Sequence, residues 1–482
     1  MTKKLNNWID GKLVKSSTTE WIEKINPHNQ KVISLFPCTT KAEVNKVINI
    51  ASKRFKSWSS LTSIQRGAII NKFVSHLKEN EKKLAKCISN ECGKSLKDAT
   101  GEVGAAITQG HYFASEGMRM YGKTLSSNVQ GKVIQSVRCP IGVAALIVPA
   151  NTPIANIAWK VFPALICGNT VVLKSSEDAP ETAELFVKIS KKAGIPDGVL
   201  NMIHGNGDTT GEALIDNKKV KIISFTGSTL VGKYIAKKSS DTLKRISLEL
   251  GGKNPIVIYK DADIENAIKW TLLSAFSNAG QRCASASRVI VHKDIYQKFK
   301  NKLLVSIKTL KLGIDSKSDL GPVINKKQFS NVINYLKSLP MSCKILIGGK
   351  ASSKKEHKKG YYIEPTVIED LPSDTDFLNN ELFAPVCSIE PFKNINEAIE
   401  ISNATDYGLT SAIHTKDLNI ALKYSNSVYA GTVNINMGTY GSEPHMPFGG
   451  FGESGNGTRE PGLEALDVYT EIKNISFFYE NN

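Results

Sequence analysis

The apolar positions of the chain fall into two rhythms. Residues 41–114 keep a helical spacing, with Val44, Val47, Ile48 and Ala51 on one stripe and Ile69, Phe73, Val74 and Leu77 on another. From residue 143 the pattern changes to short apolar blocks at 143–148, 170–173, 200–203, 221–225 and 256–259. Helical spacing fills 154–166, 181–193 and 230–237 between them. Apolar strands joined by helices of this length predict right-handed βαβ units, hence an α/β fold with a mostly parallel sheet covered on both faces. A second αβ series runs over 262–433. Residues 132–138 alternate as a strand ahead of Pro140, and 467–478 read as extended. These last two segments, a hairpin and a closing strand, are the candidates for subunit contact, because unpaired edges invite a second copy.

Composition narrows the function classes. The 482 residues carry a formal charge of +17, which raises nucleic acid or an anionic membrane as partners. Only eight of the 62 basic residues are Arg, however, and the Lys are scattered or lie in runs such as 354–359 with no nucleic-acid motif beside them. The longest near-apolar stretch, 141–150, reaches half the length that crosses a bilayer. The expectation is therefore no nucleic acid and no membrane. The eight cysteines include no Cys-x-x-Cys pair and no Cys/His cluster at zinc spacing, so no metal site is expected. The N-terminus lacks an apolar leader, which together with the unpaired cysteines points to the cytoplasm.

Four segments bear chemistry. In Ser277-Asn278-Ala279-Gly280-Gln281-Arg282-Cys283-Ala284-Ser285, small residues surround one thiol in what reads as a loop leading into a helix, where amide groups would favour the thiolate. The segment alone leaves a nucleophile and a buried structural cysteine both open. In Leu248-Glu249-Leu250-Gly251-Gly252, a carboxylate between leucines suits a general base of raised pKa, or else a surface acid ending a strand. Phe225-Thr226-Gly227-Ser228-Thr229 runs from a strand through a glycine turn into a helix, as a pyrophosphate site or an ordinary connection would. Gly205-Asn206-Gly207 is a weaker version of the same pattern. Asn151, Lys160, Lys174 and Glu177 cluster around the first βαβ unit, at the strand ends where open sheets bind ligands, though each could cap a helix.

Taken together with Glu381-Leu382-Phe383-Ala384-Pro385, Asn403-Ala404-Thr405-Asp406-Tyr407-Gly408 and Pro447-Phe448-Gly449-Gly450-Phe451-Gly452, these motifs resemble the aldehyde dehydrogenase superfamily from about Trp8 to Tyr479. The resemblance implies three units: a Rossmann-like dinucleotide-binding domain (1–120 and 143–250), an α/β catalytic domain (251–464), and a small β oligomerisation element (121–142 and 465–482) of a homodimer or homotetramer. It implies an aldehyde as substrate and NAD as cofactor, with NADP as the alternative. Cys283 would be the nucleophile, Asn151 the oxyanion donor, Glu249 the base that activates water against the thioester, and Lys160 an aid to proton movement. Lys174 and Glu177 would hold the adenosine ribose, Gly227 and Ser228 the pyrophosphate, and Glu381 and Phe383 the nicotinamide ribose and ring.

Departures from the pattern concern the substrate: Ala150 and Thr152 flank the asparagine where aromatic residues are frequent, and Ser175 replaces a frequent proline. Arg119 and Arg282 are the candidates to anchor the far carboxylate of a semialdehyde. The rival readings are an acylating relative that passes its thioester to coenzyme A, and a non-catalytic relative. The presence of both Glu249 and Cys283 weighs against each.

Overall fold

The computed structural model describes residues 2–372 and 380–480. Thr40 and Thr62 each open a helix with a capping box, Thr40 with Glu43 and Thr62 with Gln65. The helices Lys41–Ser59, Ser63–Glu79, Glu81–Cys92 and Leu96–Glu116 follow in succession. Val44, Val47, Ile48 and Ala51 are buried as their spacing predicts, whereas in the second helix Ile70 takes the core position and Ile69 is only partly covered. The short strands before Lys41 carry no alternation long enough to read from sequence. Two of them, Asn7–Ile9 and Lys12–Val14, extend the edge of the first large sheet.

That sheet has seven strands in the order Arg245–Glu249, Val220–Thr226, Val143–Ile147, Thr170–Lys174, Leu200–Ile203, Asn7–Ile9, Lys12–Val14. The first five pair in parallel, and the chain reverses its direction of travel across the sheet between Val143–Ile147 and Val220–Thr226. A crevice for ligand opens at such a switch point, beyond the carboxyl ends of the strands. The second sheet, also seven-stranded, runs Lys344–Ile347, Thr366–Glu369, Val386–Phe392, Ala286–His292, Asn254–Ile258, Thr410–His414, Thr432–Ile435. Only its Lys344–Ile347 edge is antiparallel.

Two expectations are corrected. The strand expected at 256–259 forms as Asn254–Ile258 and belongs to the second sheet, because the Gly251-Gly252 turn carries the chain out of the first. The extended segment expected from 467 begins only at Thr470, since Ala465–Tyr469 is a short helix whose apolar side chains are buried. Thr470–Phe478 pairs along its length with Lys132–Pro140, which pairs in turn with Lys123–Leu125. This ribbon exposes Ile472, Phe477 and Phe478.

Candidate active site

The ends of the parallel strands gather the residues singled out from sequence. Asn151 follows Val143–Ile147, Lys174 ends its strand, Gly227 and Ser228 follow Val220–Thr226, and Glu249 ends Arg245–Glu249 in register with Thr226. All sit on the carboxyl edge of one sheet.

Cys283 does not lead into a helix. A turn of 3-10 helix, Ser277–Gly280, precedes it, and the strand Ala286–His292 follows. Asn278, Ala279 and Gly280 are consecutively left-handed, with φ of 53°, 54° and 67°. Glycine is required at the last of these, because a Cβ there would stand 2.1 Å from the Ala384 carbonyl oxygen. The loop is thereby pressed onto the Glu381–Pro385 segment. Asn254 ties it from below by donating to the carbonyl oxygens of Cys283 (2.7 Å) and Ser285 (2.8 Å).

The expected thiolate environment is corrected as well. Removal from water, then the negative charges of Glu381 and Glu249, push the Cys283 thiol up to about 12, against which the amides of Ala284 and Cys283 work only weakly. At neutral pH the thiol keeps its proton.

Glu249 is buried, and neither of its carboxylate oxygens has a hydrogen-bond partner. Burial, then the nearby Glu460, raises its pKa well above the ordinary carboxylate value, while Lys160 and Arg459 oppose the shift. Gly449 gives it room, since a Cβ there would approach Glu249 Oε1 to 2.9 Å.

Lys160 donates to Glu460 Oε2 (2.6 Å) and Ser224 Oγ (2.7 Å), with both side chains of the ion pair fully buried. Glu460 also accepts from Ser224 and Ser247. Sequence reasoning missed Glu460. Its only signal was an acid following the glycine-rich 449–457 stretch.

The side chain of Asn151 is held by no hydrogen bond among the described residues, and its Oδ1 is buried without a partner. Its carbonyl oxygen accepts from Asn278 Nδ2 (3.1 Å), which also donates to the Gln281 carbonyl (3.2 Å). The asparagine turn and the cysteine loop are thus joined through one amide.

Along the sheet edge, buried Lys174 donates to Glu177 (3.0 Å), whose side chain is 40% exposed. Ser228 caps the helix Thr229–Ser240, and the Gly227 amide donates to the Glu249 carbonyl oxygen (3.1 Å). Glu381 accepts from the Gly252 amide (3.2 Å), and burial raises its carboxyl to about 7. Phe383 is left-handed at φ 55°. A helix N-terminus for a pyrophosphate, with carboxylates for ribose hydroxyls, is a donor set that fits a dinucleotide.

The two arginines considered as anchors are engaged elsewhere. Arg119, just beyond the helix Leu96–Glu116, bonds Glu116 and Ser115 at the end of that helix. Arg282 bonds Ser277, pairs with Asp98 (3.6 Å) and lies over the Tyr440 ring. Trp159, Tyr440 and Phe448 instead share one apolar cluster with Cys283, Ala284 and Leu409, with Trp159 and Phe448 centroids 5.5 Å apart.

A polar sheet edge that joins a partly buried thiol to a buried, unpartnered carboxylate defines an enzyme site of the aldehyde-oxidising kind, and the chain belongs to the aldehyde dehydrogenase family. The family model matches residues 13–475. The chain is 33% identical to the alpha-ketoglutaric semialdehyde dehydrogenase of Bacillus subtilis, over 97% of each protein. It is 36% identical to the NADP-dependent D-glyceraldehyde dehydrogenase of Picrophilus torridus, over 98% of this chain and 96% of that one. Its fold superimposes on betaine aldehyde dehydrogenase of Staphylococcus aureus, solved with NAD, at a TM-score of 0.96 and 33% identity, covering 99% and 95% of the two chains. Among the described residues, no group of His, Cys, Asp or Glu could hold a metal ion, and no helix is long and apolar enough to cross a membrane.

Proposed function

We propose that the protein oxidises an aldehyde to its carboxylic acid with NAD as the oxidant, through a covalent intermediate on Cys283. The observation that carries this reading is the unpartnered carboxylate of Glu249, buried close enough to Cys283 to raise its thiol. As Cys283 Sγ bonds to the aldehyde carbon, its proton passes to Glu249, whose raised proton affinity makes it a suitable acceptor. The oxyanion so formed is held by the Asn151 side-chain amide and the Cys283 backbone N–H. NAD, when bound, supplies the hydride acceptor, and loss of hydride leaves a thioester on Cys283. Glu249 releases the first proton to solvent, takes one from the attacking water and returns it to Cys283 Sγ as the C–S bond breaks, so that the acid departs and the thiol is restored.

Lys174 and Glu177 hold the adenosine ribose, Gly227 and Ser228 the pyrophosphate, and Glu381 and Phe383 the nicotinamide end. Glu177 sets the preference for NAD, because its carboxylate repels a 2′-phosphate. Lys160 assists proton movement beside Glu249. In this reading residues 1–120 and 143–250 bind the dinucleotide, 251–464 carry the nucleophile, and 121–142 with 465–482 join subunits of a homodimer or homotetramer. Eight free thiols suit a reducing, cytoplasmic setting. With Arg119 and Arg282 engaged, the aromatic cluster favours an aldehyde with an uncharged tail over a semialdehyde.

The test is NADH production on a panel of aliphatic, aromatic and carboxylate-bearing aldehydes, with and without coenzyme A, for the wild type and Cys283→Ala. Turnover independent of coenzyme A and lost in Cys283→Ala is expected. Dependence on coenzyme A, or survival of activity in the variant, overturns the hydrolytic cysteine mechanism.

A further inference from the structure

The helix Pro153–Ile166 begins directly after the Asn151 turn, yet nothing local caps it. Pro153 stands at its start, and Thr152 makes no side-chain cap. Thr152 Oγ1 instead accepts from Asn156 Nδ2 (2.7 Å). The free first-turn amides of Ile154 (2.9 Å) and Ala155 (3.4 Å) donate to Glu102 Oε1, on the distant helix Leu96–Glu116. A carboxylate at that point satisfies orphan donors and the positive end of the helix together. Glu102 Oε2 accepts from Lys94 Nζ (2.5 Å), and the two side chains are only 4% and 2% exposed. The lysine neutralises a charge that burial would otherwise expel.

One turn earlier on the same helix stands Asp98, spaced i, i+4 from Glu102 and so on the same face. Its carboxylate pairs with Arg282, the residue before Cys283, and Arg282 in turn bonds Ser277 at the start of the cysteine loop. Two acids one turn apart thus hold the segments that carry the candidate oxyanion donor and the candidate nucleophile. The Asn278 amide, bonded to both segments, closes the triangle.

We propose that Asp98 and Glu102 are positioning residues that fix the separation of Asn151 from Cys283, using one rigid turn of helix as the spacer. The proposal rests on the roles given above to Asn151 and Cys283. A displacement of about 1 Å between reacting groups can cost on the order of a hundredfold in rate, so a spacer of this kind has a measurable effect. A merely structural cap would lower stability and slow every step alike, whatever residue stands at 151.

The experiment is a stopped-flow measurement of the first-turnover NADH burst at saturating NAD and aldehyde. The full-length proteins are wild type, Glu102→Ala, Asp98→Ala, Asn151→Ala, and each acid variant combined with Asn151→Ala. Either acid variant is expected to slow the burst by roughly ten- to a hundredfold in the wild-type background and by no more than about twofold once Asn151 is gone, because a lost donor cannot be misplaced. Equal slowing in both backgrounds overturns the proposal while leaving Asn151 as oxyanion donor. A burst unaffected by Asn151→Ala overturns both. If Glu102→Ala does not fold, Asp98→Ala, which removes only the Arg282 contact, carries the same comparison.

Discussion

Lys160 Nζ and Glu460 Oε2 meet at 2.6 Å with neither side chain exposed, 300 residues apart in sequence. Such a pair gains little over a well-packed apolar pair, but removing one partner strands the other in the interior. Glu460→Ala is therefore expected to lower stability by about 3–5 kcal/mol, read as a shift of the urea midpoint, and the Lys160→Met/Glu460→Gln double variant to lose markedly less. If the single variant unfolds at the wild-type midpoint, the pair is not the buried ion pair described here.

That pair also marks the limit of what the sequence revealed. Cys283, Glu249, Asn151 and Gly227 were legible because glycine, proline and small residues must stand beside them to shape strand-end turns, and such local requirements leave local patterns. Glu460 and Glu102 were not legible, because each serves a partner brought near only by the fold: Lys160 in one case, the amides of Ile154 and Ala155 in the other. The parallel core was readable because its strands are apolar throughout. The short N-terminal strands that finish its edge were not, since Asn7–Ile9 and Lys12–Val14 take their register from Leu200–Ile203 and from each other. The environment of Cys283 was misread because a helix was expected where a strand follows.

The protonated thiol has a direct consequence. With its pKa pushed to about 12, Cys283 should alkylate slowly in the cofactor-free protein at pH 7. Iodoacetamide labelling at this residue, followed by mass spectrometry, is expected to accelerate about tenfold per pH unit from 7 to 9 with no plateau. A plateau below pH 8 would mean that a thiolate is already populated.

Glu381 carries the adjoining pH dependence. Burial raises its carboxyl to about 7, so at pH 6 it is mostly protonated and at pH 8 mostly ionised. Only the ionised form offers both oxygens as acceptors to ribose hydroxyls. The KM for NAD should fall as pH rises from 6 to 8, and Glu381→Gln should flatten that dependence. An unchanged slope in the variant assigns the titration to another group.

Cofactor choice turns on Glu177, half-exposed and held by Lys174. Glu177→Ser should remove the like-charge conflict with a 2′-phosphate and leave Lys174 to attract it, raising kcat/KM for NADP relative to NAD by roughly ten- to a hundredfold. If the ratio does not move, discrimination lies elsewhere on the sheet edge.

The last prediction concerns the proton that Cys283 must lose. If the thiol were already ionised, Glu249 would be needed only for thioester hydrolysis, and a Glu249→Gln enzyme would keep a rapid burst of NADH near one equivalent per site. The thiol is instead protonated, and the acid whose proton affinity is raised in parallel is Glu249, with both oxygens unpartnered. Glu249 serves as acceptor for the first proton, which it passes to solvent, and then for the second, because of the two acids that raise the thiol Glu381 is tied to the Gly252 amide whereas Glu249 is free of hydrogen bonds. Glu249→Gln is therefore expected to slow the burst and the steady state together, each by roughly a hundred- to ten-thousandfold, the range general-base assistance supplies. Raising the pH should restore part of the burst, since hydroxide can then deprotonate the thiol directly, while the steady state stays slow for want of a base at the thioester. A full-rate burst in Glu249→Gln at pH 7 would place the first proton on another acceptor and confine Glu249 to hydrolysis.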